Sequence, residues 1–428
     1  MLMDVLESRL SSGVRVITSA IPRVQSVTFG IWVGVGSRYE GSRLAGISHF
    51  IEHLLFKGTR KRSAKDISRE IEGYGGYLNA FTQEENTCYY ARVAGNRLWK
   101  ALDVLADMYN DPSFDPVEVK KERGVIIEEI MMYRDQPQQV VQEMLSEAIW
   151  QNHALGRPII GTPETLAKMD RGVIKGFKEK AYVPANTVFA FAGCLNHDEC
   201  VKGVERLVSS KSRSCVLEYG SVTKAVSQQD VVLQKKEIEQ THMAMGIRMF
   251  GRHDKRRYAL RLLNVILGEN MSSRLFQVVR EKHGLAYSVH SSVHLFEESG
   301  ALVISAGLDR KRSLKAIELI TREIIRLKSF PVGGQELKMA KEYVIGQLKL
   351  GMESTTNQMM WIGDNLMSYG KFIRPEDMID KIARVSSKDI LILAEQIFSS
   401  TSASLAMISP DIGSDADKDQ YRAILKEL

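Results

Sequence analysis

Residues 46–59 read Gly46-Ile47-Ser48-His49-Phe50-Ile51-Glu52-His53-Leu54-Leu55-Phe56-Lys57-Gly58-Thr59. Side chains four apart share one face of an α-helix, so His49 and His53 can present two imidazoles to one metal ion, with Glu52 close beside them. This H-x-x-E-H pattern is the mirror of the H-E-x-x-H zinc motif, the glutamate lying next to the second histidine instead of the first. With only 9 histidines in the chain, it arises by chance on the order of once per hundred such sequences. Ile47, Phe50, Ile51, Leu54, Leu55 and Phe56 make the helix apolar nearly all round, which predicts burial. Buried imidazoles and a buried carboxylate need partners, and a metal ion supplies one.

A catalytic zinc takes three protein ligands and leaves a position for water, so a further acid or histidine is expected on a neighbouring rigid element. Asp115-Pro116-Val117-Glu118 combines an N-cap carboxylate, a proline at the first helical position and an acid in the first turn, announcing a helix that can run to about Arg134. That helix offers Glu122, Glu128 and Glu129, of which Glu122 and Glu129 are seven apart and share a face.

Around this segment the pattern predicts strands Val14–Ser19 and Ser26–Gly36, the metal-motif helix ending at Gly58, and a helix from Ser63 capped with Asp66. Strands Tyr77–Thr82 and Thr87–Val93, a helix Leu98–Tyr109 and a strand Thr187–Ala192 follow. Residues 209–229, rich in Ser and Lys, read as a linker. Beyond it the order recurs: strand Thr241–Met249, helices Tyr258–Gly268 and Ser272–His283, strands Ala286–Leu295 and Ala301–Gly307, helix Arg312–Leu327. Placing Gly58 on Gly268, an offset of 210, brings Ser63 onto Ser273 and puts Ala259, Leu262 and Leu263 where the first copy has His49, Glu52 and His53. The expectation is an α+β chain of two similar domains, residues 1–215 and 230–428, only the first able to bind metal.

The composition agrees with a globular chain. Of 428 residues, 44% are hydrophobic and 26% charged, which excludes disordered and collagen-like classes. A net charge of +6 is mild for this length, and no aromatic-interleaved basic motif is present, so a nucleic-acid scaffold is disfavoured. The basic run Lys57–Arg62 reads as solvated surface. Cys88, Cys194, Cys200 and Cys215 form no C-x-x-C pair, arguing against a disulfide framework and for a reducing, cytoplasmic setting. Neither a signal peptide nor an apolar run of roughly 18 residues is evident, so no membrane partner is expected.

Together with Asn79-Ala80-Phe81-Thr82 and Glu122-Arg123-Gly124-Val125-Ile126-Ile127-Glu128-Glu129-Ile130, the 46–59 stretch resembles the pitrilysin-type inverzincins, in the branch of the mitochondrial processing peptidase and its short bacterial relatives. The resemblance covers nearly the whole chain. It implies two homologous domains, each a mostly antiparallel sheet packed with helices, together half of a clamshell. It further implies one Zn2+ per chain held by His49, His53 and Glu129, with Glu122 supporting the site and Glu52 as general base. Arg280 and Tyr287, by the same resemblance, stabilise the scissile carbonyl or anchor substrate, in a homodimer whose active sites are shared between subunits. The resemblance also implies that Asn79, Ala80 and Thr82 lie on the strand that pairs with a peptide substrate as an added β-strand. The implied activity is zinc metalloendopeptidase action on short or unfolded peptides, with water as nucleophile. The alternative is a non-catalytic core or assembly subunit, a role in which members of the family usually lose part of the zinc set; here His49, Glu52, His53 and Glu129 are all present.

Overall fold

A computed structural model describes residues 3–208, 217–222 and 230–428. Most of the expected linker 209–229, and Cys215, lie outside the described residues. The first sheet is built from β1 (Asp4–Arg9), β2 (Arg15–Ala20), β3 (Ser26–Val33), β4 (Tyr77–Thr82), β5 (Thr87–Ala94) and β6 (Thr187–Gly193), in the order β1-β2-β6-β3-β5-β4. The second comprises β7 (Asp230–Lys235), β8 (Thr241–Phe250), β9 (Ala286–Leu295), β10 (Ser299–Leu308) and β11 (Ala403–Ser409), in the order β7-β11-β8-β10-β9. Each sheet has one parallel pair, β2 with β6 and β7 with β11; its other pairs are antiparallel. With β1 set aside, strand order and sense are the same in both, as expected for two α+β copies of one design.

The predicted helices appear as α1 (Ile47–Leu55), α2 (Ala64–Ile71), α3 (Leu98–Asn110) and α4 (Pro116–Arg134), followed by an unexpected α5 (Pro137–Ile149). Ser63 and Asp66 form the capping box of α2, and the Asp115 carboxylate accepts the Val117 N–H at the start of α4. On the offset of 210, Ser273 does not repeat the role of Ser63: its hydroxyl is buried without a partner, and the coil behind it is π-helical over Phe276–Lys282.

Strand β3 is buried on both faces. Val27, Phe29, Ile31 and Val33 enter a core shared with Ile47, Phe50, Ile51 and Leu54 of α1 and with Ile126 and Ile130 of α4. Trp32, on the other face, packs with Met359, Ile362 and Leu366 of the helix Thr355–Tyr369. Such two-sided burial forces each sheet to find a second layer.

That second layer departs from the contiguous boundaries 1–215 and 230–428. The chain forms two compact units, one of Met1–Met131, Arg157–Gly220 and Leu348–Glu376, the other of Met132–Gly156, Ser221–Gln347 and Asp377–Leu428. Helix α5, from the first half of the sequence, covers β8 and β11 of the second sheet; Thr355–Tyr369, from the second half, covers β3 and β6 of the first. Glycines make both layers possible. A Cβ on Gly246 would overlap Ile149 of α5, and one on Gly363 would overlap the Trp32 indole. Among the described residues no helix is long and apolar enough to cross a membrane.

Candidate metal centre

Helix α1 buries Ile47, Phe50, Ile51, Leu54 and Leu55 in the first unit's core, which leaves His49, Glu52 and His53 along one side. Helix α4 runs beside it. The heptad spacing turns Glu122 and Glu129 toward α1, whereas Glu128 lies on the exposed face. His49 Nε2 is 3.9 Å and His53 Nε2 3.6 Å from Glu129 Oε2, the ring centroids are 4.6 Å apart, and the three candidate donor atoms lie within 4.8 Å of one another. Donors about 2.0–2.2 Å from a tetrahedral zinc stand roughly 3.3–3.6 Å apart, so small side-chain adjustments close this set on an ion.

The surroundings suit such an ion. His53 Nδ1 is 3.3 Å from Glu122 Oε2, an arrangement that places the ring proton on Nδ1 and leaves the Nε2 lone pair facing Glu129. Lys57 Nζ holds the other Glu122 oxygen at 2.9 Å. Burial, with His53 beside it, pushes His49 down to about 3. At neutral pH that ring is therefore the neutral base a metal requires. His49 Nδ1 is buried with no hydrogen-bond partner. Two imidazole nitrogens and one carboxylate oxygen form a donor set that fits zinc and leaves a position open.

Glu52 points into the same space. Burial raises its carboxyl above the ordinary range; the Thr82 hydroxyl, donating to Oε2 at 2.5 Å, and His53 pull it back, while Glu129 pushes it further up. Thr82 ends β4, one of the two edge strands of the first sheet. Along that edge the Ala80 N–H is engaged by its neighbour, the Asn79 side-chain oxygen, at 2.8 Å, and the Asn79 amide donates to the Tyr77 hydroxyl at 2.6 Å.

Arg280 and Tyr287 lie in the second unit. The Arg280 guanidinium sits over the Phe276 and Tyr287 rings, 4.8 and 5.8 Å from their centroids, and Tyr287 is 75% exposed on β9, an edge strand of that sheet. Ala259, Leu262 and Leu263, at the positions offset by 210 from His49, Glu52 and His53, are buried in the apolar core of that unit and offer no donor. A pocket of about 930 Å³ there, lined by Met271, Glu336, Met339 and Tyr343 among others, includes none of the site residues expected from the sequence.

The basic run Lys57–Arg62 is not simply solvated surface. Lys57 pairs with Glu122, and Arg62 reaches Glu70, Asp103 and Asp107. The Thr59 hydroxyl donates to the same Asp107 at 2.6 Å.

Comparisons with known proteins extend this picture. Residues 15–163 match the family described as Insulinase (Peptidase family M16), and residues 168–344 match the Peptidase M16 inactive domain. The uncharacterized zinc protease YmxG of Bacillus subtilis is 40% identical over 402 residues, covering 93% of this chain and 97% of that protein. An uncharacterized zinc protease of Mycobacterium leprae is 37% identical over 396 residues, covering 92% and 89% respectively. In fold, the chain is similar to a protease from Helicobacter pylori, with a TM-score of 0.87 at 21% identity, over 96% of this chain and 100% of that one. A peptidase M16 inactive domain from Pseudomonas fluorescens gives a TM-score of 0.88 at 16% identity, over 96% and 100%. With relatives named zinc proteases matched across nearly their full length, the chain belongs to the M16 (insulinase) peptidase family, a zinc peptidase at the level of that family.

Proposed function

We propose that this chain is a zinc metalloendopeptidase acting on short or unfolded peptides. The observation that carries the reading is the convergence of His49, His53 and Glu129 donor atoms beside a buried Glu52 carboxylate. His49, His53 and Glu129 would hold one zinc ion per chain, which would supply Lewis acidity and make a water more acidic, toward a pKa of about 7. Glu52 takes the proton from the attacking water and returns it to the leaving amine, a role that its raised affinity for protons suits. Thr82 holds the carboxylate in line, and Glu122 fixes the His53 ring.

The outer edge of β4 takes the substrate backbone as an added strand, through the outward-facing main chain of Ala80 and Thr82, beside the side chain of Asn79. Pairing there replaces the local bond between the Asn79 side chain and the Ala80 N–H. Such main-chain recognition tolerates many sequences. Tyr287, with Arg280 beside it, donates to the developing oxyanion. A homodimer delivers that pair from each subunit to its partner's metal centre. The proposal includes a cytoplasmic setting, supported by the unpaired thiols of Cys88, Cys194 and Cys200.

The test is cleavage of an unstructured peptide, expected to stop when a chelator strips the metal and to return on adding zinc; chelator-insensitive cleavage contradicts the proposal. The shared-site arrangement has its own readout. Arg280→Ala and His49→Ala subunits, each inactive alone, are expected to recover about a quarter of wild-type activity when exchanged one to one, since half the dimers are mixed and each holds one intact site. No recovery in a demonstrated mixed dimer rules out the exchange.

A further inference from the structure

Helix α1 receives no cap from its own N-cap residue, Gly46. A serine or aspartate is not tolerated there: φ is +97°, and a Cβ would fall 2.6 Å from the Ile160 carbonyl oxygen. The cap comes instead from Glu40. Its Oε2 accepts the Gly46 N–H at 2.7 Å and its Oε1 accepts the Ser48 N–H at 2.8 Å. The residue is 4% exposed, so these bonds form away from water, where charge-assisted hydrogen bonds are at their strongest. A carboxylate at this end also opposes the positive pole of the helix dipole.

Burial pushes the Glu40 carboxyl up to about 7 against the pull of the two N–H groups and of Arg157. Arg157 also donates to the Glu40 main-chain oxygen at 2.6 Å. Holding an ionised group in so dry a place is costly, and the two N–H donors and the Arg157 charge offset that cost.

The same segment grips the β4–β5 turn. Ser37 N–H donates to the Gln83 carbonyl at 3.1 Å and Arg38 N–H to the Glu84 carbonyl at 2.8 Å. The Arg38 guanidinium, almost fully buried, pairs with the Glu85 carboxylate. One short stretch thus holds the strand that ends in Thr82 by its backbone, and the helix bearing Glu52 by the Glu40 side chain. Metal sites need their donors held within about 0.5 Å and 10–20°.

We propose that Glu40 is a positioning residue for the metal centre. By clamping the first turn of α1 it sets the rotation and rise of that helix against α4 and β4, and so the place where the His49 and His53 nitrogens meet Glu129. The inference rests on reading those three residues as the zinc ligands.

The experiment measures zinc affinity by chelator competition and the visible spectrum of the cobalt-substituted protein. Glu40→Gln keeps the shape but presents an amide donor to one of the two N–H groups. It is expected to bind zinc about tenfold or more weakly and to shift the cobalt spectrum. Glu40→Asp, which reaches only one N–H, is expected to fall between this variant and wild type, and it carries the test if the glutamine variant does not fold. Ser63→Ala removes the cap of α2, which bears none of the donors, and is expected to lower the melting temperature with zinc affinity unchanged. A wild type that binds no zinc overturns the metal reading and this inference with it. Zinc bound by wild type and equally well by both Glu40 variants, with unchanged cobalt spectra, overturns the role of Glu40 alone. An equal loss of affinity in Ser63→Ala overturns it too, by reducing the effect to general helix stability.

Discussion

Glu52→Gln is expected to leave zinc bound and to abolish turnover. The amide is isosteric with the carboxylate, and its carbonyl oxygen can still accept the Thr82 hydroxyl, so the shape of the site survives. What it lacks is the ability to take a proton. General acid–base catalysis contributes about 10²–10⁴ in rate, or roughly 3–5 kcal/mol of barrier, and here one residue would serve both the attack of water and the departure of the amine. The loss should therefore appear in kcat, with KM little altered, because Glu52 is not asked to bind the peptide. Steady-state cleavage of a quenched fluorescent peptide, alongside metal analysis of the same preparation, reads both quantities. A variant that cleaves at the wild-type rate places the base elsewhere.

His53→Ala should instead empty the site. His53 supplies one of three protein donors, and its ring links the ion to the Glu122–Lys57 pair. Zinc in fully coordinated sites is bound with about 10–16 kcal/mol, so losing one donor removes several kcal/mol, on the order of a thousandfold in affinity. Dialysed protein is expected to fall from one zinc per chain to almost none, with activity following. Two adjacent acids sharpen the prediction. Glu129→Gln should behave as His53→Ala does, whereas Glu128→Gln, on the exposed face of α4, should retain metal and activity. Equal effects at positions 128 and 129 would contradict the geometry proposed for the centre.

How much of this could be read from the chain alone follows from where the information is local. Helix α2 announces its own start, because a serine and an aspartate three residues on complete each other's hydrogen bonds. Strand β4 is bounded by Gly76 before it and by the polar Gln83-Glu84-Glu85-Asn86 turn after it. The two α+β copies were legible because strand order is written in the order of apolar runs. Strand β1 was missed for a matching reason: it is a largely exposed edge strand whose side chains show no clean alternation. The exchange of α5 and Thr355–Tyr369 was not legible either. An apolar helix face says that it needs a sheet, but not which of two similar sheets it will cover, and that choice is made by long-range fit at Gly246 and Gly363.

At the site, H-x-x-E-H marks its own face through helical periodicity, but the partner acid does not. Spacing along α4 narrowed the choice to Glu122 and Glu129; their different depths relative to α1 separate the residue that meets both imidazoles from the one that holds the far side of His53. Lys57 and Arg62 looked like solvent charge because composition cannot show that buried acids on α3 and α4 await them. Glu40 gave no signal at all, since its hydrogen bonds depend on a chain reversal that no local pattern encodes.

Anomalous diffraction at the zinc absorption edge, on crystals of the zinc-loaded protein, bears most directly on the central claim. The account predicts one strong peak per chain, within bonding distance of His49 Nε2, His53 Nε2 and a Glu129 carboxylate oxygen, and none among Ala259, Leu262 and Leu263. A chain that shows no peak at His49, His53 and Glu129, or that carries its zinc elsewhere, would contradict it.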